Sequence, residues 1–390
     1  MPRGKPSRKT YISYLRDTIL AARKLWHNDA EDGHMEFIHD SAKAPSDLRT
    51  AKLKLLERSF ASFGPKEWDN FVLASGGSFL GSWAILKARR LVANIKLIEF
   101  HADYGLPTSL KVGQCALAVN HKNVTFLDRI FLRPAHEHFW GQCFRHVTQR
   151  FPAKTYHYGS HWNQESRFEI GAIDGCVVET ILCDHFHIDL IDLLDWPNFA
   201  AYLRSISENV WRDYRKAQNT EVRMETKRGL AALRDVFALV RLRAEVMRKN
   251  DLRSSFLKDY FVHVAKLAVF GPSGFITTVR MNGKCYSAFF GIEFGDNLYY
   301  ISGGTTNNHH GFGSYLFLML IQNWFAEHPS GKFVMGFCTG RRDEWTYGRG
   351  LLLYRRKLRV KSVDGTEFQL RIKPVPHLQA EIPPARPKLG

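Results

Sequence analysis

Gly311 and Gly313, in the run His310-Gly311-Phe312-Gly313-Ser314, stand at the head of SYLFLMLIQNWFAEH, an apolar stretch of helical length. Glycines at a helix start let the backbone approach a ligand closely. The unpaired N–H groups of the first turn, helped by the helix dipole, favour an anion such as a diphosphate. The alternative for Gly303, Gly304, Gly311 and Gly313 is a plain corner between strand and helix. Elsewhere His185, His187 and Asp189 alternate in a strand-like stretch and would share a face that a metal could use. An HxH with one carboxylate is commonplace, however, and no metal is expected. His136-Glu137-His138 precedes a helix and reads as capping and surface. Arg355-Arg356-Lys357 would hold an anionic substrate or form a solvated face. No GxSxG elbow or Ser/His/Asp context supports hydrolase chemistry.

The elements that must position the glycine loop are three strand-like runs. GFITTVRM and KCYSAFFGIEF are joined by Asn282-Gly283, a pair suited to a tight hairpin. Gly295-Asp296-Asn297 turns the chain into NLYYISGG, where period two puts Leu298, Tyr300 and Ser302 on one face. Upstream, FAAYLRSISENVWRDYRKA reads as one amphipathic basic helix, followed by strand TEVRMET and two helices, Leu230 to Asn250 and SSFLKDYFVHVAKLAVF. Downstream come strand KFVMGF, the helical segment RRDEWTYGRGLLLYRRK, and VKSVDGTEFQLRI, expected as a hairpin around Asp364-Gly365.

The first half repeats the theme less clearly. Thr10 to Trp26 and SDLRTAKLKLLERSFASF read as helices, then WDNFVLAS and SFLGSWAILKARRL. Strands NIKLIEFHA, QCALAVNH and VTFLDRIFL, helix HEHFWGQCFRHVTQRF and strand KTYHYGSHW follow, and VVETILCD and FHIDLIDL bring this half to its end near Trp196-Pro197. Expected boundaries are a basic helical extension over 1–64, a first domain over 65–197, a second over 198–374, and a Pro-rich tail over 375–390.

With 390 residues, two domains are the natural expectation. A net charge of +17 favours nucleic acid, anionic lipid or phosphorylated small molecules as partners, and no zinc-finger or RNA-recognition spacing selects among them. Six scattered cysteines without a CxxC pair fit free thiols in a reducing compartment, so a cytoplasmic location is expected. No run reads as a signal peptide or a membrane span, which leaves peripheral membrane contact open.

The order strand, two helices, three antiparallel strands, glycine loop, helix, strand, helix, strand resembles the GNAT acyltransferase superfamily. It is similar in particular to the tandem FemAB/CelD-like branch, in which the fold occurs twice. The likeness rests on FAAYLRSISENVWRDYRKA, NGKCYSAFFGIEFGDNLYYISGG and GLLLYRRKL, with SFLGSWAILKARRL and FLDRIFL at matching positions of a divergent first copy. It implies an α+β fold of two tandem GNAT-like domains, each a central mixed, mostly antiparallel sheet flanked by helices. The family's loop pattern is Arg or Gln, two residues, Gly, one residue, Gly or Ala. Here Asn308 stands at the first position and Gly311 and Gly313 match. Members that use aminoacyl-tRNA also depart at this loop.

The resemblance implies an acyl-CoA donor, acetyl or longer, wedged between two splayed strands. Ser302, Gly303, His310, Gly311, Phe312, Gly313 and Ser314 would line its binding site. The acyl group would pass to an amine or hydroxyl of a sugar, lipid or cell-envelope precursor. Such chemistry needs a base, an oxyanion stabiliser and a proton for the leaving thiolate. Glu293 is the expected base, or else a solvated strand-end carboxylate. Tyr300 would orient the carbonyl, and Tyr347 or Tyr354 would protonate the thiolate; each tyrosine is equally consistent with packing. The rival readings are an aminoacyl-tRNA-dependent transferase and a non-catalytic pair of domains that binds an anionic partner.

Overall fold

The computed structural model describes residues 51–159, 162, 176–250, 254–306, 310–339 and 348–374. The helix expected at Thr10 to Trp26 and the Pro-rich tail lie outside them. The chain forms two compact units, each with its own sheet and core. Among the described residues the first holds 51–81, Ala93–Asp184 and 366–374; the second holds Ser82–Val92 and His185–Gly365.

The first unit is built from β1 (Lys52–Arg58), α1 (Pro65–Ala74), β2 (Ile95–Asp103), β3 (Leu110–Val119), β4 (Asn123–Phe126), β5 (Phe131–Leu132), α3 (Trp140–Arg150) and β6 (Thr155–Tyr158). α2 (Trp83–Arg90) belongs to the second unit, and β7 (Cys176–Asp192) and β13 (Lys361–Pro374) each have one portion in either unit. The sheet runs β1-β2-β3-β4-β6-β13, with β5 on β3. All pairings are antiparallel except β4 with β6. Its core stacks Phe126 on Phe144 at 5.3 Å, with Tyr158 edge-on to Phe126. The buried Tyr158 hydroxyl accepts from Ile130 N and Trp140 Nε1, which satisfies its polar tip.

Residues 52–58 are a strand, not the expected helix. KLKLLER alternates Lys and Leu, and in that period-two pattern Lys54 reaches Asp103 at 3.2 Å while Arg58 reaches Glu99 at 2.8 Å on β2. Cross-strand ion pairs and a buried Leu53 outweigh helix propensity here. Glu99 is almost wholly buried and also binds Lys111 at 2.6 Å. Burial alone would raise its pKa, but hydrogen bonds from Lys111 and Arg58 outweigh it and hold the carboxyl at about 2. A depressed folded-state pKa stabilises above the unfolded value and loses that contribution as pH falls through the folded one. Acid melts should therefore show the first unit losing on the order of 2–3 kcal/mol between about pH 4.5 and 2, and Glu99→Gln should abolish that dependence.

The second unit comprises α2, the end of β7, α4 (Phe199–Ser205), α5 (Glu208–Gln218), β8 (Arg223–Arg228), α6 (Leu233–Lys249), α7 (Phe256–Phe270), β9 (Gly274–Met281), β10 (Lys284–Phe294), β11 (Asn297–Thr305), α8 (Phe312–Glu327), β12 (Lys332–Thr339), α9 (Gly348–Lys357) and the start of β13. Its sheet order is β7-β12-β11-β10-β9-β8. Only β11 with β12 is parallel. Both units thus place one short parallel pair inside an antiparallel sheet. Asn282 and Gly283 both take positive φ, 50° and 74°, as the expected hairpin requires. α8 buries Leu316, Leu318, Leu320, Ile321 and Trp324, which explains its nearly continuous apolar run.

Two expectations change in this unit. The basic helix expected over FAAYLRSISENVWRDYRKA is two helices, because Ile206 is extended and Ser207 N donates to Lys357 O at 3.0 Å. Tyr202, buried on α4, donates its hydroxyl to Leu358 O, so contacts with the end of α9 decide the break. The hairpin at Asp364-Gly365 is absent: β13 runs straight through, with Ser362 donating to Asp189 at 2.7 Å and Asp364 2.6 Å from His187. Side-chain pairing to β7 overrides the turn signal.

Candidate functional site

β11 and β12 share a ladder only from Asn297–Tyr299 to Lys332–Val334. Beyond that point β11 stays paired to β10 as far as Thr305, and β12 stays paired to β7 as far as Thr339. Two parallel strands that keep their outer neighbours and lose each other open a fork in the sheet. Backbone N–H and C=O groups along its edges are available to an extended ligand, as at any strand edge.

At the crotch of the fork lies Arg355, from α9, only 4% exposed. Its guanidinium donates to Met335 O at 2.6 Å, Gly336 O at 3.2 Å and Asp189 Oδ2 at 2.9 Å. The first two are carbonyls of β12 just past the end of the parallel ladder, where Gly336 has a φ of 91° and the β7 pairing shifts register. Arg355 therefore braces the fork and is not the surface phosphate-binding charge that its run suggests. Asp189, 1% exposed, is held by Arg355 and Ser362 and is not offered to a metal with His187, whose Nδ1 faces Asp364. Among the described residues no cluster of His, Cys, Asp and Glu is arranged to hold a metal ion.

Tyr300 points into the fork's own layer. Its ring meets Phe289 and Phe317, and burial raises its phenol above the ordinary range. Ser302 does not share its face, contrary to the period-two reading. Phe290 pairs with Ser302 and Gly291 with Tyr300, so Ile301 is a bulge that reverses the alternation. Gly303 takes the place beside Tyr300 instead; a Cβ there would lie 2.8 Å from the Tyr300 hydroxyl and 2.7 Å from Ala288 O. Ser302 lies opposite Phe290, whose ring meets His263 of α7 at 5.4 Å. Its hydroxyl is buried without a hydrogen-bond partner.

Tyr354 stands on the same side of the sheet as α8, with its ring 6.1 Å from Phe317. The hydroxyl is buried beside Ser314, yet no hydrogen bond of ordinary geometry reaches it. Burial pushes its pKa far up; Ser314 opposes the rise, and Tyr300 and Asp213 add to it. It stays protonated throughout the neutral range, the form a proton donor needs.

The head of α8 begins at Gly311, in the left-handed region with φ 69°. Gly313 lies 3.0 Å, measured from where its Cβ would be, from Thr305 Oγ1. At Gly311 an added Cβ would stand 2.4 Å from the Asp213 carbonyl oxygen, so α5 approaches this turn backbone to backbone. The glycine is required by the protein's own packing. Gly311→Ala should cost about 2–4 kcal/mol, combining left-handed strain with a clash, whereas Gly283→Ala, at φ 74° in open space, should cost about 1–2. Urea midpoints of the two variants check the difference. His310 stacks on Phe312 at 5.2 Å, and Phe312 and Ser314 are buried. Asn308 and Tyr347 lie outside the described residues.

Glu293 sits opposite Leu298, at the closed end where β11 and β12 are still paired. Arg228 grips both carboxylate oxygens, one at 2.8 Å. With both oxygens occupied by the guanidinium, the carboxylate is not free to meet an attacking group. The residue that sequence reasoning passed over is Asp213. It is the one acid between Trp211 and Lys216 in a basic helix, and it lies against the glycine turn and acts on Tyr354.

The Acetyltransferase (GNAT) domain family matches residues 204–340, from α4 through β12. Among solved structures, one described as FemX superposes with a TM-score of 0.59 at 10% identity, covering 80% of this chain and 96% of that one. A tandem GNAT protein from the clavulanic acid biosynthesis pathway gives 0.46 at 9% identity, covering 83% and 100%. L-PGS from Bacillus licheniformis gives 0.46 at 10%, covering 79% and 91%. No curated protein sequence matches this chain. Among the described residues no helix is long and apolar enough to cross a membrane.

Proposed function

From a chain that carries the GNAT fold twice in tandem, in the FemAB-like arrangement, we infer an acyltransferase whose chemistry lies in the second unit. The observation that supports it is the fork between β11 and β12, with an unpartnered, buried tyrosine hydroxyl on the α8 side of the sheet. An acyl-CoA would lie in the fork with its amides on the strand edges, and its carbonyl would be polarised by backbone N–H groups of β11. Its diphosphate would meet the N–H groups at Gly313 and Ser314. An amine or hydroxyl attacks the carbonyl, and the tetrahedral oxyanion collapses with cleavage of the C–S bond. Tyr354 gives its proton to the departing thiolate, and the proton released by the nucleophile passes to solvent, from which Tyr354 is reprotonated. Tyr300, held by Gly303, lines the fork and orients the acyl unit. Glu293, gripped by Arg228, is left with a structural part.

A second donor is favoured by Asp213. Its backbone carbonyl and Cβ lie against the glycine turn and its charge acts on Tyr354, so it would repel a diphosphate there and attract an ammonium group such as that of an aminoacyl ester. The net charge of +17 suits an RNA carrier. Calorimetric titration with acetyl-CoA, a long-chain acyl-CoA and charged tRNA, each at two salt concentrations, separates the readings. Saturable micromolar CoA binding with little salt dependence supports the thioester donor. Steeply salt-dependent tRNA binding alone moves the donor to the ester, and no binding by any of the three sinks the transferase reading.

A further inference from the structure

Three large apolar side chains stand in solvent on the α6–α7 pair: Leu257 is 68% exposed, Phe237 59% and Phe261 36%. Leu257 and Phe261 are one turn apart on α7, and the half-exposed Val264 continues the row. Phe237 of α6 meets Phe256 of α7 edge-on at 5.2 Å, which joins the two helices into one patch. The inner side of α7 buries His263, Leu267 and Phe270 and pairs Asp259 with Arg243, so the row Leu257, Phe261, Val264 is an outward-facing apolar row. A helix that turns its acid and histidine inward and an apolar row outward needs an apolar environment for that outer row.

Among the described residues of α2, α6 and α7 the exposed charges are all cations. Arg234 and Lys258 are exposed on α6 and α7. α2 packs against α7 and ends in the exposed Arg89, Arg90, Leu91 and Val92. The acids of the two helices are withdrawn: Asp235 is buried between Lys227 and Arg280, Asp259 is paired with Arg243, and Glu245 is half-buried. Neither described helix exposes a carboxylate.

We propose that this face of the second unit docks on an anionic lipid surface. Phe237, Leu257 and Phe261 enter the boundary between headgroups and acyl chains, while Arg89 and Arg234 meet the headgroup phosphates. The surface is separate from the fork and does not depend on the transfer reaction. Charge complementarity selects the lipid, because an apolar patch whose described helices expose cations and no carboxylate meets in one anionic bilayer both the phosphate and the hydrocarbon it needs.

The test is co-sedimentation of the full chain with vesicles of phosphatidylcholine alone or mixed with phosphatidylglycerol. Binding is expected only with the anionic lipid and should fall with salt. Arg234→Glu should weaken it about fivefold or more, and the pair Leu257→Ser with Phe261→Ser at least tenfold. These side chains are exposed, so melting temperatures should not move. No vesicle binding, equal binding to neutral vesicles, or an unchanged affinity in the Leu257→Ser/Phe261→Ser variant would overturn the proposal. The last outcome would reduce the patch to simple charge adsorption or leave it to a protein partner.

Discussion

Arg355→Met should destabilise the second unit by about 3–5 kcal/mol, enough to shift its urea midpoint by more than one molar. Methionine roughly fills the space and removes the charge. Asp189 would remain 1% exposed with Ser362 but without its guanidinium, and the Met335 and Gly336 carbonyls would lose a donor at the fork. The cost comes from what is left behind, so replacing both ends should recover part of it. Arg355→Met with Asp189→Leu is expected to be more stable than Arg355→Met alone, and the double-mutant cycle measures the coupling. A single-variant loss below about 1 kcal/mol would mean that the pair does not brace the fork.

Tyr354→Phe should act in the opposite sense on the two quantities that are usually lost together. Its hydroxyl is buried without a well-formed bond, so removing it relieves an unmet desolvation and should leave stability unchanged or raise it by up to about 1 kcal/mol. Turnover, followed by thiol release from an acyl-CoA, should drop by about 10²–10³ if the phenol supplies the leaving group's proton. Donor affinity should hold. A less stable protein with normal turnover would make Tyr354 a packing residue and leave the proton's source elsewhere.

The element order of the second unit was readable because hairpin, glycine loop and buried helix each carry a local signal. Asn282-Gly283 specifies its turn by backbone conformation alone. What escaped were decisions made by distant partners. Nothing in NLYYISGG reveals that Ile301 is a bulge, yet that one residue moves Ser302 to the far face and brings Gly303 beside Tyr300. Nothing around Asp364 says that His187 and Asp189 will hold the chain straight. KLKLLER differs: its strand alternation is present in the sequence, and the partners that select it, Asp103 and Glu99, lie on β2, 49 and 41 residues beyond the lysine and arginine they pair with. Within the site the same division holds. The glycines identified the turn, but Gly311 proves to be fixed by the Asp213 backbone, a contact with a residue 98 positions earlier in the chain.

The course of β13 bears on biosynthesis. Residues 368–370 supply the neighbour of β6, the strand that pairs in parallel with β4, so the first unit's sheet is incomplete until the chain has been translated through that point. Its early-made edge must wait on the ribosome for more than two hundred residues. A nascent chain halted near residue 200 therefore presents an open sheet margin to chaperones. Moving the segment after Thr366 to follow β6 directly through a short linker should let the first unit fold before the second is made.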